Sequence, residues 1–127
     1  MPKKILIIED EENLVKLLSV NLKTRGFSVV AASDGEEGLE MAFAEMPDAV
    51  ILDVRLPSID GWEICQRLKN NEKTKHIPVI FLTAASQKKD AEKASEVGGD
   101  LYLTKPFDPL ELADIVEKKL SVTKEPL

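Results

Sequence analysis

An unbroken apolar run over residues 49–52, which ends on Asp53, constrains the fold of this chain more than any other feature. A run of this kind predicts a strand that is buried on both faces, as in a parallel sheet covered by helices. Pro57 then breaks the chain into a loop, and the pair Asp60 and Glu63 predicts a capping box at the start of a helix. Ligands of open α/β sheets lie just beyond the carboxyl ends of the strands, so Asp53 is predicted to lie where the chemistry takes place.

Strand and helix patterns alternate along the chain. Apolar, β-branched runs predict strands at residues 4–8, 27–32, 49–53, 77–83 and 100–104, with the second strand at an edge of the sheet. Helices are predicted in the intervals that follow, over residues 9–25, 33–46, 61–71, 87–97 and 108–120. This spacing predicts an α/β fold, a doubly wound sheet of five parallel strands with five helices on its two faces.

Apolar residues at helical spacing predict the side of each helix that faces the core. The predicted inward positions are Leu14, Leu17, Leu18 and Leu22 in the first helix, Leu39, Ala42, Phe43 and Met46 in the second, Ile64, Cys65 and Leu68 in the third, and Leu112, Ile115, Val116 and Leu120 in the last. Ser33 and Glu36 predict a capping box for the second helix, and Asp108 with Glu111 predicts one for the last. The fourth helix has only a thin apolar stripe, which predicts loose packing.

The composition fits one compact domain, because 127 residues with 43% hydrophobic and 31% charged residues suffice for a single core. We expect this domain to span residues 1–120, with residues 121–127 as a flexible tail or the start of a linker. A formal charge of −6 argues against direct binding of nucleic acid. No apolar run approaches the ~20 residues that a membrane span needs. The single Cys65 fits a reducing compartment, so we expect a cytoplasmic protein without membrane contact.

Polar side chains follow four of the predicted strands, at the end where each strand leaves the sheet. They are Glu9 and Asp10 after the first strand, Asp53 at the end of the third, Thr83 at the end of the fourth and Lys105 after the fifth. Three carboxylates and one ammonium group carry a net formal charge of −2, which a divalent cation neutralises. Because all the candidate ligands are oxygens, Mg²⁺ is the expected ion, and Mn²⁺ is expected to be able to substitute for it.

An aspartate beside Mg²⁺ can attack phosphorus as a nucleophile and form an aspartyl phosphate. The metal ion and a lysine would share the negative charge of the transferring phosphoryl group, and a threonine hydroxyl would donate a hydrogen bond to it. Taken singly, each of these residues also fits a structural role, such as a helix cap or a strand end. Their occurrence at the same edge of one sheet favours the chemical interpretation.

Four short motifs carry a resemblance that covers residues 3–120. Glu9-Asp10, Leu52-Asp53, Leu82-Thr83-Ala84 and Lys105-Pro106-Phe107 resemble, in order and spacing, the receiver domain of bacterial two-component response regulators, of the chemotaxis-regulator type. The resemblance implies a flavodoxin-like sheet with strand order 2-1-3-4-5. It also implies that Asp53 accepts a phosphoryl group from a sensor histidine kinase or a histidine phosphotransfer protein.

The resemblance further assigns roles within the site. Asp10, the Asp53 side chain and the main-chain carbonyl of Arg55 would hold Mg²⁺, with Glu9 reaching the ion through water. The chain departs from the family pattern at the acid pair, which is Glu-Asp here where Asp-Asp is common. The longer Glu9 side chain bears on how many waters separate it from the ion.

On the phosphoryl side, the resemblance implies that Thr83, Ala84 and Lys105 contact the phosphoryl group. Tyr102 would be the aromatic residue that turns when Thr83 moves, although a fixed, half-buried tyrosine is an equal interpretation of that position from the sequence alone. The Lys105–Pro106 bond is expected to be cis.

The implied function is a phosphorylation-controlled binding module rather than an enzyme that turns over a substrate, with slow autodephosphorylation at most. Its output would be a downstream protein partner or an output domain, and the chain is either a stand-alone receiver or the first part of a longer regulator. A haloacid-dehalogenase-like phosphatase is a second hypothesis, but Arg55 stands where that chemistry usually needs another aspartate. A flavin or nucleotide binder is a third, but the first strand-to-helix turn is acidic rather than glycine-rich.

Overall fold

The protein has a central parallel sheet, seen in a computed structural model that describes residues 2–83 and 88–121. In this part of the chain the strands are β1 (Lys4–Ile8), β2 (Ser28–Ala32), β3 (Ala49–Asp53), β4 (Val79–Thr83) and β5 (Leu101–Thr104). The helices are α1 (Glu12–Thr24), α2 (Gly35–Glu45), α3 (Gly61–Lys69), α4 (Lys88–Glu96) and α5 (Pro109–Ser121). The five strands pair in the order β2-β1-β3-β4-β5, and every pairing is parallel. The predicted fold class and strand order are therefore confirmed.

Burial across the sheet follows the strand order. Every residue of β3 and β4 is buried, as their unbroken apolar runs predict, because helices cover both faces of the central strands. β2 and β5 form the edges of the sheet and are mostly half-buried or exposed. The prediction that β2 is an edge strand is confirmed.

Two apolar cores lie on opposite faces of the sheet, because successive side chains of a strand point to opposite sides. On one face, alternate residues of the strands pack with α2, α3 and α4; this core includes Leu6, Leu52, Phe81, Ala42, Ile64, Leu68, Ala94 and Val97. On the other face, the intervening strand residues pack with α1 and α5; this core includes Ile7, Ile51, Ile80, Leu18, Leu22, Leu112 and Val116. The sheet thus holds its helices in two layers and leaves the strand ends open at its edge.

Some predicted core positions are exposed. Leu17 is 48% exposed, whereas its neighbour Leu18 is 1% exposed. Phe43 and Met46 of the second apolar stripe are 37% and 42% exposed. The stripes predicted for α1 and α2 were too wide, because the sheet covers only part of each apolar helix face.

The start of α1 was also predicted too early. Glu9 remains at the end of β1, where its backbone N–H donates to the Ala32 carbonyl at 3.1 Å. One Glu9 carboxylate oxygen accepts from the Glu11 N–H at 3.0 Å, so the turn after β1 is closed by the acid itself. α1 then begins at Glu12, and Glu9 and Asp10 are left at the sheet edge.

The predicted cap of α2 is wrong by one residue. Asp34, rather than Ser33, is the N-cap, and its Oδ1 accepts from the Glu37 N–H at 2.8 Å. Glu37, rather than Glu36, reaches back, and its Oε1 accepts from the Ser33 N–H at 3.1 Å. The aspartate takes this role because its own backbone is extended while the next residue is already helical.

The other predicted boundaries differ by small amounts. The capping bond of α3 is confirmed, since Asp60 Oδ1 accepts from the Glu63 N–H at 2.9 Å. β4 begins at Val79 rather than at residue 77, and the Val79 N–H donates to the Asp100 side chain at 2.8 Å. The tail at residues 122–127 lies outside the described residues. No helix in the described part of the chain has the length and apolar character to cross a membrane.

Candidate functional site: an acidic edge with one lysine

Three carboxylates meet at the carboxyl edge of the sheet. The register pairs Ile8 with Leu52, so the next residues of the two strands, Glu9 and Asp53, lie side by side. Asp10 follows in the turn after β1. Glu9, Asp10 and Asp53 each offer a carboxylate oxygen, and these oxygens all lie within 4.8 Å of one another. The predicted convergence of these acids is therefore present in the structure.

Lys105 joins this acidic group from the far side of β4. Its Nζ lies 3.1 Å from Glu9 Oε1 and 3.4 Å from Asp53 Oδ2. The backbone holds it there, because β4 and β5 pair Thr83 with Thr104 and the Lys105 N–H donates to the Thr83 carbonyl at 2.6 Å. The pairing of β3 with β4 sets Asp53 opposite Leu82, so Thr83 lies one residue beyond the register partner of Asp53.

Burial makes the charges of this site consequential. Glu9, Asp53 and Thr83 are 2%, 5% and 3% exposed, whereas Asp10 is exposed to solvent. Burial, and then the charge of Asp53, raises the pKa of Glu9 above its usual range. Burial alone would lower the pKa of Lys105, but the charges of Asp53 and Glu9 raise it. The ammonium group is therefore firmly protonated, and the acids beside it carry more negative charge than it balances.

The loop after β3 is fixed to its neighbours on two sides. The Gly61 N–H at the start of α3 donates to the Val54 carbonyl at 2.8 Å. A Cβ at Gly61 would lie 2.3 Å from the Asp53 carbonyl oxygen, so only glycine permits α3 to start this close to the end of β3. The Arg55 N–H donates to Asp53 Oδ1 at 3.3 Å, which orients the carboxylate.

The other side of this loop rests on the start of α2. The Gly35 N–H donates to the Pro57 carbonyl, and the Glu36 N–H donates to the Ser58 hydroxyl, each at 3.1 Å. Ser58 adopts a positive φ of 68°, a conformation that is uncommon outside glycine. The two first-turn N–H groups of α2 thus hold the loop that carries the Arg55 carbonyl.

A cavity of about 570 Å³ opens onto the acidic edge. It is lined by Asp10, Val54, Arg55, Leu56, Pro57, Asp60, Trp62 and Thr83. Trp62 is a residue of the site that the sequence pattern did not predict. In the structure its half-buried ring packs on the buried Phe81 ring, with centroids 4.8 Å apart, and also forms a wall of this cavity. Its place directly after Gly61 is the sequence signal that connects it to Asp53.

Of the other two residues predicted on the phosphoryl side, only Tyr102 is among the described residues. Tyr102 is half-buried on β5, paired in register with Phe81, and packs against the core on the α3 side of the sheet. Ala84 lies outside the described residues. The Lys105–Pro106 peptide bond is cis, as predicted.

The donor set suits a hard divalent cation. All three carboxylates present oxygen atoms, the ligand type that Mg²⁺ prefers. With Lys105 the group has a net formal charge of −2, which such an ion would neutralise. The site can therefore hold a cation and, beside it, a tetrahedral oxyanion group in contact with the lysine.

A doubly wound parallel sheet with a buried aspartate, two flanking acids and a lysine at its carboxyl edge defines a class of phosphoryl-binding α/β proteins. Residues 5–117 match the family described as the response regulator receiver domain, and the chain belongs to this family. The predicted family and its general function, a phosphoacceptor domain of two-component signalling, are thereby confirmed. This membership disfavours the phosphatase and flavin-binder hypotheses.

Relatives and solved structures agree with the family match. The chain is 46% identical over 112 residues to the alkaline phosphatase synthesis transcriptional regulatory protein PhoP of Bacillus subtilis, covering 88% of this chain and 46% of that protein. It is 45% identical over 112 residues to the DNA-binding dual master transcriptional regulator RpaA of Synechocystis, with coverages of 88% and 46%. The chain therefore spans about half the length of these curated relatives.

Two solved structures give the same result for the fold. A putative response regulator from Chloroflexus aurantiacus superposes with a TM-score of 0.89 at 36% identity, covering 95% of this chain and 99% of that one. The BeF3-activated receiver domain of DrrB, a Thermotoga maritima protein, superposes with a TM-score of 0.86 at 36% identity and the same coverages.

Proposed function

We propose that Asp53 is the phosphoacceptor of this receiver domain. The single observation that supports this choice is the set of contacts around its buried carboxylate. One oxygen accepts from the Arg55 N–H, the other lies 3.4 Å from Lys105 Nζ, and Glu9 and Asp10 are both within ligand distance. Glu9 has similar contacts, to Lys105 and to the Glu11 N–H, but Asp53 ends the central strand β3 and lies beside β4, where Thr83 is one residue beyond its register partner Leu82.

The proposed metal site consists of Asp10, the Asp53 side chain and the Arg55 carbonyl, with Glu9 as an indirect ligand. Mg²⁺ is the proposed ion and Mn²⁺ a substitute, since both bind well to oxygen ligands. When bound, the ion would supply positive charge to the oxygens of the transferring phosphoryl group. Glu9 is already paired with Lys105, which supports an indirect role for this longer acid rather than a direct bond to the ion.

Each side chain of the site then has its own role in the transfer of the phosphoryl group. Asp53 attacks the phosphorus atom, and Lys105 stays close to the oxygen at which charge accumulates. Thr83 donates its hydroxyl hydrogen to a phosphoryl oxygen, and Ala84, the next residue in the sequence, is proposed to contact the same group. Tyr102, half-buried two strands away from Asp53, would turn when Thr83 moves. A shift of this kind changes which partner is preferred by the face formed by α4, β5 and α5.

The proposed donor is a phosphorylated histidine of a sensor kinase or of a histidine phosphotransfer protein. The output is a downstream protein partner or an output domain, as the transcriptional regulators PhoP and RpaA, each about twice as long as the matched region, suggest. We place the receiver domain at residues 1–120, with residues 121–127 as a tail or the start of a linker. The domain would not turn over a substrate, beyond catalysing its own phosphorylation and slow dephosphorylation. We propose a cytoplasmic location, which suits the buried thiol of Cys65.

The test is phosphorylation by acetyl phosphate, followed by intact-mass spectrometry and peptide mapping. We expect the wild type to gain one phosphoryl group on Asp53 in the presence of Mg²⁺ and none after chelation. Asp53→Asn should gain none under either condition. Asp114→Asn is the matched control, because Asp114 is an exposed aspartate on α5 away from the site, and it should behave as the wild type. Labelling of the Asp53→Asn variant at the wild-type rate would refute the assignment.

A further inference from the structure

The cavity in front of the acidic edge has an aromatic wall that has no role in the proposed phosphoryl transfer to Asp53. Trp62 is the single tryptophan of the chain, and it lines this cavity together with Thr83 and Val54. Its ring is held from behind by the buried ring of Phe81. The bond from the Gly61 N–H to the Val54 carbonyl also fixes the start of α3, so the indole is presented to the cavity by a rigid support.

The cavity of about 570 Å³ has an apolar side as well as an acidic one. Four of its lining residues are apolar, namely Val54, Leu56, Pro57 and Trp62. This side suits a group with an uncharged or aromatic surface.

In-line displacement at the phosphorus atom would place the leaving group of the donor in this cavity. In an in-line transfer, the attacking and leaving atoms lie on opposite sides of the phosphorus atom. Asp53 is 5% exposed, with Lys105 on one oxygen and the Arg55 N–H on the other. The cavity exposes Asp10 and Thr83 beside the buried Asp53, so a donor that approaches Asp53 through it keeps its leaving group on the cavity side.

We propose that Trp62 is a specificity-determining residue that stacks on the leaving group of the phosphoryl donor and so favours donors with an aromatic leaving group; this inference rests on the proposed function of Asp53. With a protonated phosphoimidazole, a bond forms between an Asp53 carboxylate oxygen and phosphorus while the P–N bond breaks. The electron pair of that bond goes to the ring nitrogen that was bonded to phosphorus. Because the other ring nitrogen already carries a proton, the leaving group is neutral imidazole. Stacking of two rings stabilises this arrangement.

Arg55 also lines the cavity, but its contribution differs in kind. A guanidinium group attracts the negative charge that every phosphodonor carries. A planar indole instead distinguishes donors by the shape and aromatic character of the leaving group. A comparison of two donors in the same protein therefore isolates the contribution of Trp62.

The experiment measures second-order rate constants for phosphorylation of Asp53 by phosphoimidazole and by phosphoramidate, whose leaving group is ammonia. Intact-mass spectrometry follows both reactions in the presence of Mg²⁺. For Trp62→Ala we expect about a threefold to tenfold fall with phosphoimidazole, the range given by one aromatic contact, and less than about a twofold change with phosphoramidate. Trp62→Phe should retain most of the preference for phosphoimidazole. Phe43→Ala, which removes an exposed ring from α2, is the control and should leave both constants unchanged.

The outcomes separate this inference from the proposed function. Equal changes for the two donors, or no change, would show that Trp62 acts only as a structural anchor and would overturn the inference while Asp53 remains the phosphoacceptor. Failure of the wild type to be labelled at Asp53 by either donor would overturn both. If circular dichroism shows that Trp62→Ala is unfolded, Trp62→Leu replaces it under the same criterion.

Discussion

Removal of the Lys105 ammonium group should destabilise the protein by an amount that depends on metal and pH. Lys105 Nζ lies 3.1 Å from Glu9 Oε1 and 3.4 Å from Asp53 Oδ2, and both acids are buried. At an effective dielectric constant of ~20, each contact contributes about 5 kcal/mol of attraction. Desolvation of the lysine offsets much of this, so we expect Lys105→Met to lower the free energy of unfolding by about 3 kcal/mol. For a domain of this size, such a loss corresponds to a fall in Tm of about 10 °C.

Urea unfolding followed by circular dichroism tests this prediction, with and without Mg²⁺. Binding of the ion to the folded state alone stabilises it and neutralises the acids that the variant leaves unbalanced. We therefore expect the difference in the free energy of unfolding between the wild type and Lys105→Met, the stability deficit, to shrink to less than about 1 kcal/mol in saturating Mg²⁺. Lys4→Met is the matched control, because it breaks a partly exposed ion pair with Glu45 and should cost less than about 1 kcal/mol in either condition.

The stability deficit of Lys105→Met should also change with pH in a defined direction. Because the pKa of Glu9 is raised in the folded protein, the folded state binds a proton more tightly than the unfolded state, and this contribution to stability grows as the pH falls. It is complete below the ordinary glutamate value of 4.5 and is lost as the pH rises through the raised pKa. The deficit of Lys105→Met should therefore narrow from about pH 7 to about pH 5. A deficit that is independent of both Mg²⁺ and pH would refute the electrostatic explanation and indicate lost packing.

Three further tests address separate parts of the structure. Gly61→Ala should weaken Mg²⁺ binding and lower stability, because a Cβ would lie 2.3 Å from the Asp53 carbonyl oxygen; titration calorimetry and thermal unfolding measure the two effects. Burial raises the pKa of the Cys65 thiol to about 11, so alkylation by iodoacetamide at neutral pH should occur only after denaturation, and rapid alkylation of the native protein would contradict this. Leu18→Ala should cost about 3 kcal/mol in urea unfolding. Leu17→Ala, on the same helix but 48% exposed, should cost less than about 1 kcal/mol, and equal losses would show that α1 is rotated.

The sequence predicted the order of elements because each strand and helix carries its own local pattern. The unbroken run that ends on Asp53 can be satisfied only by burial on both faces, and β3 is indeed fully buried. The burial of individual helix residues was less predictable. Leu17 and Phe43 have the spacing of core residues, but whether a helix side is covered depends on the width of the sheet beneath it, which no local pattern contains.

Convergence of the site was predictable for a similar reason, whereas its contacts were not. Parallel strands end at the same edge, so acids at strand ends must be neighbours once the strand order is known. The pairing of Lys105 with Glu9 as well as Asp53 depends on side-chain reach across β4, which spacing along the chain does not specify. The place of Trp62 in the cavity wall likewise depends on how closely α3 approaches β3, and this follows from the missing Cβ of Gly61.

The start of α2 has a consequence for ion affinity. Its Gly35 and Glu36 N–H groups fix the loop that carries the Arg55 carbonyl, so this proposed ligand is held in place before any ion arrives. Little chain entropy then remains to be lost when the ion binds. A Cβ at Gly35 would lie 2.0 Å from the Ile59 carbonyl oxygen and would push this loop away. The affinity of the proposed cation site can thus be tuned from a helix that contributes no ligand to it.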